Sequence, residues 1–132
     1  MKHLLLDTNA YSAFKGGAPD VVDTLRYADR LFMCSVVIGE LHCGFRCGTR
    51  YRQNAEELET FLDSARVCLL GTDETTAEYY GRVYQALRSK GQPIPTNDMW
   101  IAACALQHGA ALCSLDQHFA HIDGLLLVTP GA

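Results

Sequence analysis

His3-Leu4-Leu5-Leu6-Asp7-Thr8-Asn9 reads as a short strand that ends on an acid. An unbroken apolar run of this length fits a strand buried on both faces. Asp7-Thr8-Asn9 then reads as a turn or the start of a helix. Four further apolar runs, at residues 31–34, 67–70, 111–114 and 125–128, repeat the pattern. Helical signals lie between them. Pro19 suits a first helical position, and Val21, Val22, Leu25 and Ala28 follow at helical spacing. Ser35 is a good N-cap for a helix over residues 35–47, and another helix is expected over 53–65. Asp73 caps a long helix with Ala77, Tyr80, Val83, Tyr84 and Leu87 on one stripe, closed by Gly91. Gln92-Pro93-Ile94-Pro95 is a loop, and Asn97 can cap a helix over residues 98–108 that Gly109 ends. Strands separated by helices imply a parallel sheet covered on both faces. The expected fold is a three-layer α/β/α sandwich around a short parallel sheet of about five strands.

The chain has 132 residues, which suits one domain over residues 1–132 with a single core. Hydrophobic residues make up 48% and charged residues 20%, a globular rather than a disordered balance. No apolar run approaches the roughly 18 residues of a membrane span. Met1-Lys2-His3 reaches Asp7 too soon for a signal peptide, so a cytoplasmic protein is expected. Six cysteines in such a chain are expected to be reduced; Cys34, Cys68, Cys104 and Cys113 sit in apolar stretches as small core residues. Cys43 and Cys47 lack a second Cys/His pair at zinc spacing.

Four acids distant in sequence fall on one edge of this sheet. Ligands of open α/β sheets bind beyond the carboxyl ends of the strands. Asp7 follows the first strand, and Asp116 lies just past the fourth. Asp98 begins the helix leading into the fourth strand, which runs antiparallel to the strands and so starts at the same edge. Glu40 sits in the second turn of the helix after the second strand. Singly each has an ordinary reading: a cap for Asp7, dipole decoration for Asp98, a solvated helix position for Glu40 and a turn former for Asp116. Together they would repel unless a cation or proton intervened. Hard cations such as Mg²⁺ take oxygen ligands and keep several waters. Such a site can activate water for attack on a phosphodiester without any nucleophilic side chain. Asn9 and Ser114 could add neutral hydrogen bonds there.

The net charge of −4 does not by itself favour nucleic acid, but its distribution is uneven. Arg46, Arg50 and Arg52 cluster beside Phe45 and Tyr51, where they could grip RNA phosphates while an aromatic ring stacks on a base. They could equally meet an acidic partner segment, or simply complement a helix dipole. Beyond Lys90 there is no Lys or Arg, yet Asp98, Asp116 and Asp123 lie there. His118 neighbours Asp116 but precedes apolar Phe119; with a metal to serve as base, no catalytic histidine is expected.

These stretches resemble a known family. Leu4-Leu5-Leu6-Asp7-Thr8-Asn9, Ser35-Val36-Val37-Ile38-Gly39-Glu40-Leu41, Asn97-Asp98-Met99-Trp100-Ile101-Ala102-Ala103 and Ser114-Leu115-Asp116-Gln117-His118-Phe119 resemble, in order, the four motifs of PIN domains. Compact proteins of this kind resemble VapC-type toxins of bacterial toxin–antitoxin pairs. The resemblance implies an endoribonuclease dependent on Mg²⁺ or Mn²⁺, with tRNA or ribosomal RNA as substrates. It also implies a homodimer and inhibition by a small antitoxin. On this reading Asp7, Glu40 and Asp98 are principal metal ligands and Asp116 an auxiliary one, all four being catalytic. Ser114 stands where many relatives carry Thr. Two alternatives are a catalytically silent binding module on the same fold and a receiver-like Mg²⁺-binding signalling domain. The second needs a lysine after a late strand, and the chain has none. A dinucleotide-binding domain would need a Gly-x-Gly-x-x-Gly turn after the first strand.

Overall fold

β1 (His3–Leu6) is the middle strand of a five-stranded sheet with the order β3-β2-β1-β4-β5. The computed structural model describes residues 3–131; Met1 and Lys2, the start of the stretch read above as too short for a signal peptide, and Ala132 lie outside it. The other strands are β2 (Arg30–Cys34), β3 (Val67–Leu70), β4 (Ala111–Cys113) and β5 (Leu127–Val128), and every pairing is parallel. The register places Leu5 between Phe32 and Leu112. Leu4, Leu5 and Leu6 are all fully buried, so both faces of the central strand are covered. Each such leucine contributes about 1.5–3 kcal/mol. That offsets the cost of holding the buried Asp7 at the strand's end.

Among the described residues six helices flank the sheet: α1 (Thr8–Lys15), α2 (Pro19–Arg26), α3 (Ser35–Cys47), α4 (Tyr51–Leu62), α5 (Glu74–Lys90) and α6 (Thr96–His108). The expected three-layer fold is what forms. The chain winds outward from β1 through β2 to β3, then α5 and α6 carry it back to β4 on the other side of β1. The strand order therefore reverses between β1 and β4, and a crevice opens at such a switch point.

Several local signals act as expected. Asp73 accepts from the Thr76 backbone N–H at 3.1 Å, and Thr76 Oγ1 accepts from the Asp73 backbone N–H at 3.1 Å, a reciprocal cap for α5. Gly91 and Gly109 end α5 and α6 with φ of 66° and 62°, a left-handed conformation that a Cβ disfavours. Other boundaries differ. Cys34, not Ser35, is the N-cap of α3, and the Ser35 hydroxyl donates to the Leu70 carbonyl across to β3. α4 occupies Tyr51–Leu62 rather than 53–65, and β5 is only two residues long. α6 starts at Thr96 behind Pro95, which frees the Asn97 side chain for a tertiary contact. Cys34, Cys104 and Cys113 are core residues, but Cys68 on β3 is only half-buried; all six cysteines are free. Among the described residues no helix is long and apolar enough to cross a membrane.

Candidate active site

Asp7, Glu40, Asp98 and Asp116 line one open pocket of about 620 Å³ with Thr8, Asn9, Pro95, Thr96 and Asn97. Among the described residues no Lys or Arg lines it. Among the described residues none of these acids pairs with Lys or Arg; the Lys and Arg ion pairs, Lys90–Asp123 and Arg26–Asp23, involve other acids.

Asp7 is fixed by the fold itself. Its backbone N–H extends the β1–β4 ladder to the Cys113 carbonyl. Its side chain, only 3% exposed, caps α1 by accepting from the Ala10 N–H at 2.8 Å. Its second oxygen accepts from the fully buried Ser114 hydroxyl at 2.5 Å. The same Ser114 oxygen accepts from the Asp116 N–H at 2.9 Å, so one hydroxyl ties the end of β1 to the turn after β4. Burial pushes the Asp7 carboxyl above the usual aspartate range, and the charges of Asp116 and Asp98 push the same way. The hydrogen bonds from Ser114 and Ala10 oppose the rise without cancelling it.

Each remaining acid is met by a group from another segment. Glu40, on α3, accepts from the Thr8 hydroxyl and, at 3.2 Å, from the Asn97 amide of α6. Asp116 accepts weakly from the Asn9 amide of α1 at 3.3 Å. Asp98, in the first turn of α6, accepts from His118 Nε2 at 2.7 Å. Burial raises the Asp98 carboxyl too; the imidazole pulls it down, while Glu40 and Asp116 push it up.

Ser114 and Asn9 therefore do contact two of the acids. Thr8, Asn97 and His118 also do so, although nothing in the sequence alone assigned them this role. Thr8 and Asn97 stand next to Asp7 and Asp98 in the motifs themselves, which was the available signal. His118 carried none beyond its nearness to Asp116.

The three arginines stand apart from the pocket, on exposed positions where α3 ends and α4 begins. Arg46 lies over the Tyr51 ring at 3.9 Å, and the Tyr51 hydroxyl meets His42 Nδ1 at 3.2 Å. Arg50 donates to Gln53 Oε1, with Nε at 3.1 Å. Arg52 is exposed in the first turn of α4.

The donor set is all hard oxygen, which suits Mg²⁺ or Mn²⁺ rather than a soft metal. Four acids line the site, and among the described residues no Lys or Arg balances them. Among the described residues no three acidic, His or Cys side chains yet stand close enough to share one ion. Mutual repulsion opposes that approach, and a divalent cation would remove it.

The fold and its pocket define a class: an α/β protein with an acid-lined cleft at the switch point of a parallel sheet. The chain belongs to the PIN domain family, whose sequence profile matches residues 4–125. It is 32% identical over 130 residues to ribonuclease VapC4 of Mycobacterium tuberculosis, covering 98% of each chain. It is 32% identical to ribonuclease VapC1 of Haemophilus influenzae over 112 residues, 82% of each chain. The crystal structure of VapBC2 from Rickettsia felis, bound to a DNA fragment from its promoter, superposes with a TM-score of 0.84 at 26% identity. That match covers 96% of this chain and 98% of the other.

Proposed function

We propose that the chain, as a single PIN domain over residues 1–132, is a metal-dependent endoribonuclease and the toxin of a toxin–antitoxin pair. The observation that carries the reading is the gathering of four carboxylates from four separate segments into one pocket with no Lys or Arg partner among the described residues. The similarity to VapC ribonucleases over nearly the whole chain supports the choice of RNA. The VapBC complexes among its structural neighbours support a small antitoxin as partner. A homodimer belongs to the same reading.

Asp7, Glu40 and Asp98 would hold Mg²⁺ or Mn²⁺, with Asp116 as auxiliary ligand. When bound, the cation lowers the pKa of water and stabilises charge developing on the phosphate. The protein contributes positioning. Ser114 holds Asp7 and the Asp116 backbone in fixed relation. Thr8 and Asn97 grip opposite oxygens of Glu40, and so fix its long side chain against the start of α6. Asn9 meets Asp116 in the pocket lining and can turn toward a phosphate oxygen. No side chain has to act as nucleophile.

The test is incubation of total RNA with the partner-free protein in Mg²⁺, in Mn²⁺ and in EDTA, beside Asp98→Asn. Discrete fragments that need metal and vanish in the variant are expected. No cleavage in any condition would overturn the enzymatic reading in favour of a silent binding module.

Arg50 and Arg52 are proposed to contact RNA phosphates or an acidic antitoxin segment. Arg46, already stacked on Tyr51, belongs to the same surface and holds the α3–α4 corner together. Reversing both Arg50 and Arg52 to Glu is expected to weaken RNA binding. The slope of log affinity against log salt should become shallower by about one for each phosphate that is no longer neutralised. If neither the slope nor binding of a co-purified antitoxin changes, this surface has no such role.

A further inference from the structure

Asp98 is held differently from the other acids of the pocket. Asp7, Glu40 and Asp116 are met by hydroxyls, side-chain amides or backbone N–H groups. Asp98 is met by an imidazole, and among the described residues His118 is the one hydrogen-bond partner of its carboxylate. The contact, Nε2 to Oδ2, is 2.7 Å, the short distance of a charge-assisted bond. It joins elements 20 residues apart in sequence. His118 lies in a 3-10 turn, Gln117–His121, that starts directly after Asp116. Its ring packs on that of Phe119, with centroids 4.8 Å apart, and Phe119 is fully buried. The imidazole is thus presented from an anchored turn, with its side chain 33% exposed against 17% for Asp98.

We propose that His118 is a positioning residue for Asp98: by donating from Nε2 to Oδ2 it fixes the carboxylate's rotation and leaves Oδ1 available to a divalent cation. The inference rests on the reading of Asp98 as a metal ligand. The terminal torsion of an aspartate is broad, so an untethered carboxylate samples many orientations. A tether set in advance removes part of the ordering cost of ligation. Partners of this kind behind a metal ligand are commonly worth about 10–100-fold in metal affinity. A neutral imidazole suffices, because the tautomer protonated at Nε2 donates to a carboxylate that can only accept. The turn has a second consequence. It delivers Asp116 toward Asn9 of α1 and His118 toward Asp98 of α6, so it ties the two sides of the pocket together.

The test is calorimetric titration of Mn²⁺ into metal-free, RNA-free protein: unaltered, His118→Ala, His118→Gln and Asp98→Asn, each also melted in EDTA. Glutamine places an amide N–H near the position of Nε2. His118→Ala is expected to bind Mn²⁺ about 10–100-fold more weakly, and His118→Gln to recover most of the loss. The EDTA melting temperatures of the His118 variants are expected to stay close to the parent's. Unchanged Mn²⁺ affinity in His118→Ala overturns the inference. So does equal weakening in both His118 variants, which would mean that the ring packs rather than positions. If the unaltered protein binds Mn²⁺ no better than Asp98→Asn, the reading of Asp98 as a ligand falls first, and this inference with it.

Discussion

Asp7→Asn is expected to abolish RNA cleavage and, in the same protein freed of metal, to raise the melting temperature at neutral pH. The two effects share one cause. Asp7 is buried at the end of the central strand, and burial raises its carboxyl above the ordinary aspartate value of 3.8. A raised folded-state value means that the native state binds this proton more tightly than the unfolded chain. The stabilisation is fully present below 3.8 and is lost as pH rises through the folded value. The metal-free protein is therefore less stable at neutral pH than in acid on account of this carboxyl. Asparagine is neutral throughout, so that loss and its pH dependence both go. The cap survives, because the amide oxygen still accepts from the Ala10 N–H. The Ser114 hydroxyl can rotate to accept from the new amide. Each kcal/mol of relief is worth about 3–6 °C in a domain of this size. Asp98 acts in the same direction as Asp7. Asp73 acts in the opposite one: its cap bonds lower its carboxyl, and its contribution is lost on acidification below 3.8. Cleavage moves the other way, since a metal contributes several kcal/mol to the transition state, or about 10²–10⁴-fold in rate. The measurements are melting in EDTA from acid to neutral pH and single-turnover cleavage with Mg²⁺. Cleavage at the parent's rate, or a variant that melts lower at neutral pH, would end the assignment of Asp7.

The parallel architecture was legible because its signals are local. Leu4-Leu5-Leu6 can be read as a doubly buried strand without knowing its neighbours, and all three are fully buried. Asp73, Gly91 and Gly109 cap helices through contacts within a few residues. The pocket was legible because strand ends and helix starts of a parallel α/β sheet share one edge. What escaped the sequence was pairing between segments. Asn97 suits an N-cap by type, but Pro95 holds that position and Asn97 turns to Glu40, 57 residues away. Ser35 suits a cap as well, yet its hydroxyl serves β3 through Leu70. Cys68 lies in an apolar run, but β3 is an edge strand and leaves it half-buried. His118 was read with its neighbours Asp116 and Phe119; its ring does pack on Phe119, but its hydrogen bond goes to Asp98. Propensity ranks what a residue can do locally; tertiary placement decides which option is used.

Phe119→Ala is expected to cost about 3–5 kcal/mol, the usual range for truncating a fully buried phenylalanine. Of the fully buried side chains it is the largest, so little can move in to fill the space left. Native stability is only about 5–15 kcal/mol, so the loss is a large share and should lower the melting temperature by about 10–20 °C. Phe119→Leu retains a branched apolar side chain and should recover much of that loss. The effect should also reach the pocket. Phe119 is the buried residue of the turn that carries His118, and that turn starts directly after Asp116. Loosening the anchor lets both side chains wander while Asp7, fixed by β1 and Ser114, stays in place. Phe119→Ala should therefore bind Mn²⁺ more weakly than the parent even well below its own melting point, where nearly all of it is folded. Thermal unfolding measures the first effect, and a low-temperature Mn²⁺ titration of the folded variant measures the second. A variant that melts within a few degrees of the parent would show that the turn does not depend on this anchor. One that melts low but binds Mn²⁺ at the parent's affinity would separate the core from the site: Asp98 would then keep its orientation without the packing beneath His118.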